Sequence, residues 1–556
     1  MERIRVRLHY GADVWQLSVA VAAVVAALPV ITILGLSFSP AENIWPHLIE
    51  TALPRYVGNT LILVVGVGAA VFLTGVTTAY LVTTFEFPLR RQLEFLLLLP
   101  FAFPSYVIAY LYTDLLEFSG PVQGLLRHLF GWELARDYWF PEIRSMGGAI
   151  LLMGLVLYPY VYLMARASFL EQSPHYRDAC RLMGRSHFRT FLFVSLPVAR
   201  PAVAIGVALA LMETVNDIGT VEFFSIQTLS VGLFDVWLNM NNLGGAAQIS
   251  MVTLTFILIL IGVEYSGRRK ARFYQSSGRF IPTERVALAG GFKWGASLLC
   301  LLPVLFGFLV PMVVLVGNSV AYFDQSWTPA FRSYAANSLF VSLTVAICCT
   351  VLAVVISYTK RLHRGNVPLA LSRLVSMGYA VPGSVLAVGI VVSLGWIDNS
   401  LDGFFRDRFG FSTGLLLSGS AFSIILAYVI RFMAISIGNV DSSFSKVSTS
   451  IDMASRTLGY APFKTLRLYH LPLIKGGALT AVLIVFVDCM KELPATLLLR
   501  PFNFETLATH IYQAASDEQI ERAALGALFI VLAGLIPVIL ISRTISSSRQ
   551  LFQRSG

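Results

Sequence analysis

The chain has 556 residues, of which 56% are hydrophobic and 13% charged, with a mean hydropathy of +0.72 and a formal net charge of +10. Soluble domains have about a quarter of their residues charged, so this composition excludes an ordinary soluble protein and is typical of a multi-span membrane protein. The excess of Lys and Arg indicates anchoring at a membrane surface and not a nucleic-acid partner.

Apolar runs of about 20 residues are long enough to cross a bilayer as helices. The sequence predicts twelve of them, at 15–37, 60–83, 93–116, 147–165, 201–224, 249–266, 295–317, 338–358, 374–396, 414–438, 476–499 and 522–545. Proline interrupts two of these runs, 93–116 and 374–396, which neighbouring helices can tolerate. Lys and Arg concentrate on one side, and the connection 266–285 alone holds six. This bias predicts that both termini are cytoplasmic.

The sequence is internally duplicated. Segments that begin at residues 58 and 336 match, and Pro104 aligns with Pro382 in a second matching pair. We predict one repeat over 1–280 and another over 281–556, each with six spans. An even number gives both repeats the same orientation, with a solute path between them. The predicted fold class is therefore an all-α polytopic membrane protein of about 12 transmembrane helices in two parallel six-helix repeats.

A basic segment too short to span a membrane stands at the same place in each repeat. We name these the first elbow (176–197) and the second elbow (451–472). Each has a Gly followed, at the same spacing, by Leu-Pro. This pattern predicts a helix, a left-handed turn at the Gly, a second short helix and a Pro that starts the next span. An exposed amphipathic elbow of this kind is a docking surface.

The spacing of both elbows resembles the EAA–x3–G–x9–I–x–L–P motif of the membrane subunits of binding-protein-dependent ABC importers. The EAA letters are degenerate, because Asp178 replaces Glu in the first elbow and Met453 replaces it in the second, one residue after Asp452. The resemblance implies the type I importer permease fold, with two MetI-like halves. It also implies that each elbow binds one cytoplasmic ATPase subunit. The residues implied for that contact are Asp178, Ala179, Gly184, Pro197, Ala454, Gly459 and Pro472.

The chain lacks a G-x-x-x-x-G-K-[ST] phosphate loop, so we expect it not to be an enzyme itself. We expect no covalently bound cofactor, with ATP used by the two partner subunits. The resemblance further implies a periplasmic solute-binding protein as partner and the bacterial inner membrane as location. The lipid bilayer is the remaining partner, and no nucleic acid is expected.

Acidic residues stand in the span that follows each elbow. Charged residues at membrane depth are costly and point to function. Glu213 and Asp217 in one repeat, and Asp488 and Glu492 in the other, are both i,i+4 pairs, so each pair is predicted to share a helix face. Facing each other across the pseudo-two-fold axis, the four acids would line a path for a multivalent cation. Glu213 and Asp488 are the candidates for transient metal contact.

Two other interpretations of these acids stay open. Asp217 and Glu492 could instead hydrogen-bond an unwound stretch near Gly219 or Pro494. Lys491 favours partial pairing with Asp488 inside the chain.

Two further pairs of aligned residues bear on the path. Pro104 and Pro382 interrupt matched spans, which indicates a substrate pathway or gate, with a simple packing kink as the alternative. Asn59 and Asn337 begin matched spans and are predicted to cap them.

The stretches ETVNDIGTVEFF and KELPATLLLRPFNFETLATHIYQAASDE resemble the fused two-domain permeases of ferric-iron importers. This resemblance covers both repeats and implies ferric iron as cargo. Fused permeases for thiamine and aminoalkylphosphonates look similar, so a small organic solute stays open. An ion-coupled secondary transporter is the alternative from another class. A membrane enzyme is disfavoured because the sequence shows no nucleophile–base or metal constellation.

Overall fold

The computed structural model describes residues 2–38, 43–172, 180, 182–269, 285–363 and 365–554. Over this part the chain is helical apart from loops and two short parallel strands, β1 (Phe85–Glu86) and β2 (Val286–Ala287). Eleven of its helices are long and apolar enough to cross a membrane, or twelve if the bent pair Arg90–Ala102 and Ser105–Phe130 is one span. The prediction of an all-helical, multi-span fold is confirmed.

The helices follow the predicted order of the two repeats. Those of the first half are α1 (Glu2–Phe38), α2 (Trp45–Glu50), α3 (Leu53–Thr84), α4 (Arg90–Leu96), α5 (Ser105–Leu116), α6 (Pro121–Phe130), α7 (Met146–Glu171), α8 (His187–Thr190), α9 (Leu196–Asn216), α10 (Gly219–Phe223), α11 (Leu229–Phe234) and α12 (Leu243–Arg269). Short 3-10 turns lie at Leu99–Ala102 and Ala135–Asp137, and π-turns at Phe191–Ser195 and Asp235–Asn239.

The second half repeats this succession of long spans and short helices. Its helices are α13 (Phe292–Val304), α14 (Val310–Ala321), α15 (Phe323–Ser326), α16 (Pro329–Leu362), α17 (Asn366–Ser376), α18 (Gly383–Phe409), α19 (Ala421–Phe444), α20 (Ser450–Thr457), α21 (Pro462–Thr465), α22 (Leu471–Met490), α23 (Pro494–Leu499), α24 (Leu507–Ser516) and α25 (Ile520–Arg554). A 3-10 turn lies at Met377–Ala380, and π-turns lie at Leu305–Leu309 and Leu466–His470.

The two proline-interrupted spans differ from the prediction. The helix axes on either side of Pro104 differ by 93°, so the run 93–116 is not one straight helix. The run 374–396 is also divided, because α18 begins only at Gly383. In both places the residue before Pro, Phe103 or Val381, is extended. The proline ring disfavours the helical conformation there, which ends the preceding turn.

One compact unit consists of residues 1–45, 233–254 and 327–510. In it α1, from the first predicted repeat, packs against α16, α17 and α18 of the second. The contact with α18 is close at Gly389, where a Cβ atom would lie 2.7 Å from Pro29 Cα and nearer still to its carbonyl oxygen. A larger side chain at residue 389 would therefore push α18 away from α1.

The other compact unit consists of residues 46–232, 255–326 and 511–556. Here the first long helices of the second repeat, α13 and α14, pack among helices of the first repeat and α25. Ser297 Oγ donates to Pro88 O at 2.8 Å, and Tyr112 OH donates to Phe306 O at 2.5 Å. Each unit therefore includes the opening span of the other repeat.

Candidate functional site

The span after the first elbow is broken at Asp217. Helix α9 ends at Asn216, and Asp217 takes an extended conformation before α10 begins. Its Oδ1 accepts the backbone N–H of Thr220 at 2.9 Å, and its Oδ2 accepts the Thr220 hydroxyl at 3.2 Å. The Ser105 hydroxyl donates to the same Oδ2 at 2.5 Å. Asp217 is therefore a buried carboxylate that accepts hydrogen bonds from the first turn of α10.

The span after the second elbow is broken at the matching place. Helix α22 ends at Met490, and α23 begins at Pro494. Between them Glu492 Oε2 accepts the backbone N–H of Ala495 at 3.2 Å. Its Oε1 lies 3.4 Å from Nη1 of Arg431, and both side chains are buried. The second repeat thus places a buried ion pair where the first has a carboxylate bound by hydroxyl groups.

Neither acidic pair lies within one continuous helix, which the predicted shared face requires. Glu213 and Asp488 lie in α9 and α22, whereas Asp217 and Glu492 lie beyond the ends of these helices. A carboxylate that accepts N–H groups of a following helical turn competes with continuation of its own helix. The structure shows the alternative interpretation, in which Asp217 and Glu492 each accept a backbone hydrogen bond from the turn that follows.

Glu213 and Asp488 are both partly exposed. Asp488 Oδ1 lies 3.0 Å from Lys491 Nζ, so the prediction of partial internal pairing is confirmed. Across the described residues no group of three or more His, Cys, Asp or Glu side chains is close enough to hold a metal ion. The transient metal contact predicted for Glu213 and Asp488 stays a prediction.

Pro104 and Pro382 stand directly beside these breaks. Each precedes the first residue of a helix, α5 or α18, and that first residue meets the acid. Ser105 follows Pro104 and donates to Asp217. Gly383 follows Pro382, and a Cβ atom on it would lie 2.7 Å from Arg431 Nη1 and closer to Glu492 Oε1. The residue after each proline, Ser105 or Gly383, is thus the one that meets the acid, and the role of Pro104 and Pro382 in a pathway stays a prediction.

Asn59 and Asn337 do not cap their spans, contrary to the prediction, because they lie inside α3 and α16. Asn59 Nδ2 donates to Gln227 O at 2.9 Å, and Asn337 Nδ2 donates to Glu505 O at 3.0 Å. Both carbonyls belong to the loops that follow the broken spans.

The residue after each of these Asn residues completes the attachment of the loop. The Thr60 hydroxyl accepts the Leu229 N–H at 3.0 Å, and the Ser338 hydroxyl accepts the Leu507 N–H at 2.7 Å. Each hydroxyl thus caps the start of a helix, α11 or α24, from a distant part of the chain. An Asn followed by Thr or Ser is the sequence pattern that marks this clamp in both repeats.

Both elbows make the predicted turn at Gly. Gly184 has φ +72° and Gly459 has φ +75°. The N–H of Arg185 bonds to Cys180 O at 3.0 Å, and the N–H of Tyr460 bonds to Ser455 O at 3.1 Å. This six-residue closure after a left-handed residue is the Schellman arrangement, which needs Gly because a Cβ atom is strained at positive φ.

The short second helix of each elbow also forms as predicted. Ser186 Oγ accepts the Arg189 N–H at 3.3 Å as the cap of α8, and Pro462 is the first residue of α21. Each helix then continues through a π-turn into the long span. Pro197 and Pro472 lack a backbone N–H and cannot donate to the carbonyl four residues back. They lie two residues after the π-turns, whose wider hydrogen-bonding pattern does not require that bond.

Several large apolar side chains of the elbows are exposed. Those more than half exposed are Leu182, Met183, Phe188, Phe193, Met453, Leu458 and Phe463. Ala454 is exposed as well, whereas Asp178 and Ala179 lie outside the described residues. Met183 aligns with Leu458 and Phe188 with Phe463, so the same apolar surface occurs in both repeats. Exposed apolar groups on a basic, non-spanning segment are suited to contact another protein.

Sequence reasoning missed the basic residues that contact buried acids. Arg431 is one, and the cluster of Arg90, Glu94 and Arg166 is another, with all three side chains buried. Glu94 Oε2 lies 3.2 Å from Arg90 Nη1, and its Oε1 pairs with Arg166 Nη2. The sequence signal that could have identified these basic residues is a single charged residue within an otherwise apolar run.

A helical membrane protein with two exposed elbows, each leading into a span broken at a buried acid, has the features of a transporter's membrane subunit moved by separate proteins. The chain belongs to the family of binding-protein-dependent transport system inner membrane components, whose model matches residues 71–270 and 350–555. One match lies in each predicted repeat. The chain is thus a permease component of the ABC type.

Two similar proteins carry iron-related names. The Fe(3+)-transport system permease protein FbpB 2 of Haemophilus influenzae is 25% identical over 510 residues, which cover 89% of this chain and 91% of that protein. The ferric transport system permease protein FbpB of Actinobacillus pleuropneumoniae is 21% identical over 523 residues, which cover 89% of this chain and 72% of that protein. Both similarities extend across the two repeats.

Proposed function

We propose that the chain is the membrane-spanning subunit of an ABC importer that moves ferric iron from a periplasmic binding protein to the cytoplasm. ATP hydrolysis in two separate cytoplasmic subunits drives the transport, and the chain itself hydrolyses no ATP and carries no covalent cofactor. The observation that supports iron as cargo is the similarity to an Fe(3+) permease across 89% of this chain and 91% of the relative.

The proposal places the chain in a bacterial inner membrane with both termini and both elbows in the cytoplasm. The concentration of Lys and Arg in loops such as 266–285 supports this orientation. Residues 1–280 and 281–556 are the proposed units of duplication. Gly184, Pro197, Ala454, Gly459 and Pro472 then belong to the surfaces that bind the ATPase subunits.

Asp217 is a stronger candidate for meeting a cation than Glu492, its counterpart in the second repeat. In the second repeat Asp488 contacts Lys491 and Glu492 contacts Arg431, so much of their negative charge is compensated. Asp217 accepts hydrogen bonds from hydroxyl and backbone groups, and no Lys or Arg of the described chain pairs with it. We therefore propose that Asp217 attracts the cargo more than Glu492 does.

Uptake by the complete system in proteoliposomes tests this proposal. The chain is reconstituted with its ATPase subunits, and its binding protein is supplied with radioactive ferric iron or with labelled thiamine. We expect ATP-dependent accumulation of iron and none of thiamine. Asp217→Asn should reduce iron uptake more than the matched change Glu492→Gln does, and Glu213→Gln should also reduce it.

Three results would contradict the proposal. Accumulation of thiamine without iron would assign an organic cargo. Uptake that continues without ATPase subunits and follows an ion gradient would assign a secondary transporter. Equal uptake in wild type and Glu213→Gln would remove this acid from the path while leaving the cargo assignment intact.

A further inference from the structure

We infer that Asp452, Arg361 and His470 form a latch that fixes the second elbow to two membrane spans. These residues would be positioning residues that pass movement of the ATPase to the spans. The inference rests on the proposed function, because a latch between elbow and spans matters only if a partner moves the elbow.

The latch is built around one carboxylate. Asp452 lies in α20, the first helix of the second elbow. Its Oδ2 accepts a hydrogen bond from Arg361 Nε at 2.7 Å, and its Oδ1 lies 2.7 Å from His470 Nε2. Arg361 belongs to the last turn of α16, and His470 to the π-turn that leads into α22. The carboxylate therefore joins the first helix of the elbow to the span α16 and to the end of the elbow that continues into the span α22.

The partners of Asp452 are themselves held in place. Arg361 donates from Nη1 to Phe444 O at 3.0 Å and from Nη2 to Ser448 O at 2.8 Å. His470 is fully buried, with the rings of Tyr358 and Phe444 at 5.4 and 5.7 Å between centroids. A charge enclosed in this way depends strongly on each partner, because removing one leaves another charge uncompensated.

A weaker attachment is shared by both elbows. Tyr358 OH donates to Pro462 O at 2.8 Å, and the aligned Tyr80 OH donates to His187 O at 3.4 Å. In each repeat a tyrosine of the long span thus bonds the first residue of the short elbow helix. This tyrosine contact is the common attachment, and the latch is an addition to it.

The first repeat lacks the residues that would make a latch. At the positions aligned with Arg361, His470 and Asp452 it has Thr83, Ser195 and Arg177. The Thr83 hydroxyl donates within its own helix, to Ala79 O at 2.8 Å. The sequence of the first repeat therefore does not supply, at these aligned positions, the Arg, His and Asp that make the latch in the second.

The latch also implies that Asp452 does not itself bind the ATPase. Both of its carboxylate oxygens are engaged by residues of this chain. Asp452 lies next to the position where the related motif has its acid, but here its charge is directed inward. We therefore expect its replacement to leave ATPase binding unchanged and to impair only the transfer of movement.

The test compares variants of the complete reconstituted importer, with ATPase subunits and iron-loaded binding protein. Asp452→Asn should still bind the ATPase and hydrolyse ATP, while iron imported per ATP falls about tenfold, within the range usual for coupling between sites. The control is Asp441→Asn, which removes the neighbouring, more exposed ion pair with Lys360 and should leave this ratio unchanged.

A second pair of variants covers the case in which Asp452→Asn does not fold. His470→Gln keeps a nitrogen donor for Asp452 and should retain coupling, whereas His470→Leu should lose it. A wild-type ratio of iron to ATP in both Asp452→Asn and His470→Leu overturns the latch. Loss of ATPase binding in Asp452→Asn also overturns it, by placing that carboxylate in the contact with the ATPase. A wild-type complex that imports no iron contradicts the proposed function instead.

Discussion

The packing of Gly383 against the buried Arg431–Glu492 pair leads to a quantitative prediction for Gly383→Ala. The added Cβ would lie 2.7 Å from Arg431 Nη1, 3.3 Å from Ala495 Cβ and closer still to Glu492 Oε1. Real Cβ contacts below 3.0 Å essentially do not occur, so either Glu492 must turn away or α18 must shift.

Both responses lower the free energy of unfolding. Overpacking a core costs about 1–3 kcal/mol. The atoms nearest the added Cβ are the flexible ends of Arg431 and Glu492, and the substitution removes neither charge. We therefore expect Gly383→Ala to lower the free energy of unfolding by about 1–3 kcal/mol.

The control is a glycine of the same helix with open surroundings. A Cβ on Gly395 meets nothing within 4 Å, so Gly395→Ala should stabilise the helix by about 0.5–1 kcal/mol. Denaturant titration in detergent, followed by far-ultraviolet circular dichroism, measures both changes. If the two variants shift the free energy of unfolding in the same direction by similar amounts, the close packing at Gly383 is refuted.

Three further predictions concern the loop clamp, the elbow surface and a histidine. Ser338→Ala removes the cap of Leu507 N–H and should cost about 1 kcal/mol of unfolding free energy; an unchanged value would show that the clamp adds nothing. Phe463→Ser should weaken ATPase binding in a titration at least about tenfold, as loss of an aromatic anchor does; equal affinity would place the contact elsewhere. Burial lowers the pKa of His510, although the charge of Glu505 opposes this. The free energy of unfolding should therefore have its full value above about pH 6.5 and fall as the pH drops through that value, because the unfolded chain then binds more protons than the folded chain does. Melting temperatures at pH 7 and 5.5 should differ less in His510→Gln; the same difference would contradict this.

The elbows could be predicted from the sequence because their determinants are local. Gly184 and Gly459 turn the chain where a left-handed residue is needed, and Ser186 caps the helix that follows it. Each determinant acts within a few residues of its own position. Spacing alone therefore sufficed for the turn, the cap and the start of the next span.

The breaks at the acids were one of two interpretations that the sequence allowed, and it could not decide between them. An i,i+4 spacing gives a shared helix face only while the helix continues, and Asp217 ends it with help from Ser105, which is 112 residues away in the sequence. Arg431 was visible as a charge in an apolar run, but nothing in the sequence showed that Glu492 was its partner. Such pairings depend on which spans become neighbours.

The exchange of opening spans constrains how the protein is made. The unit that contains α18 also requires α1, so it cannot close until a ribosome has synthesised the chain to about residue 510. Helix α1 is synthesised well before α16, α17 and α18, against which it packs. In a single polypeptide, α1 stays tethered to the helices that it packs against. Two separately translated halves would each lack a span that belongs to the other half.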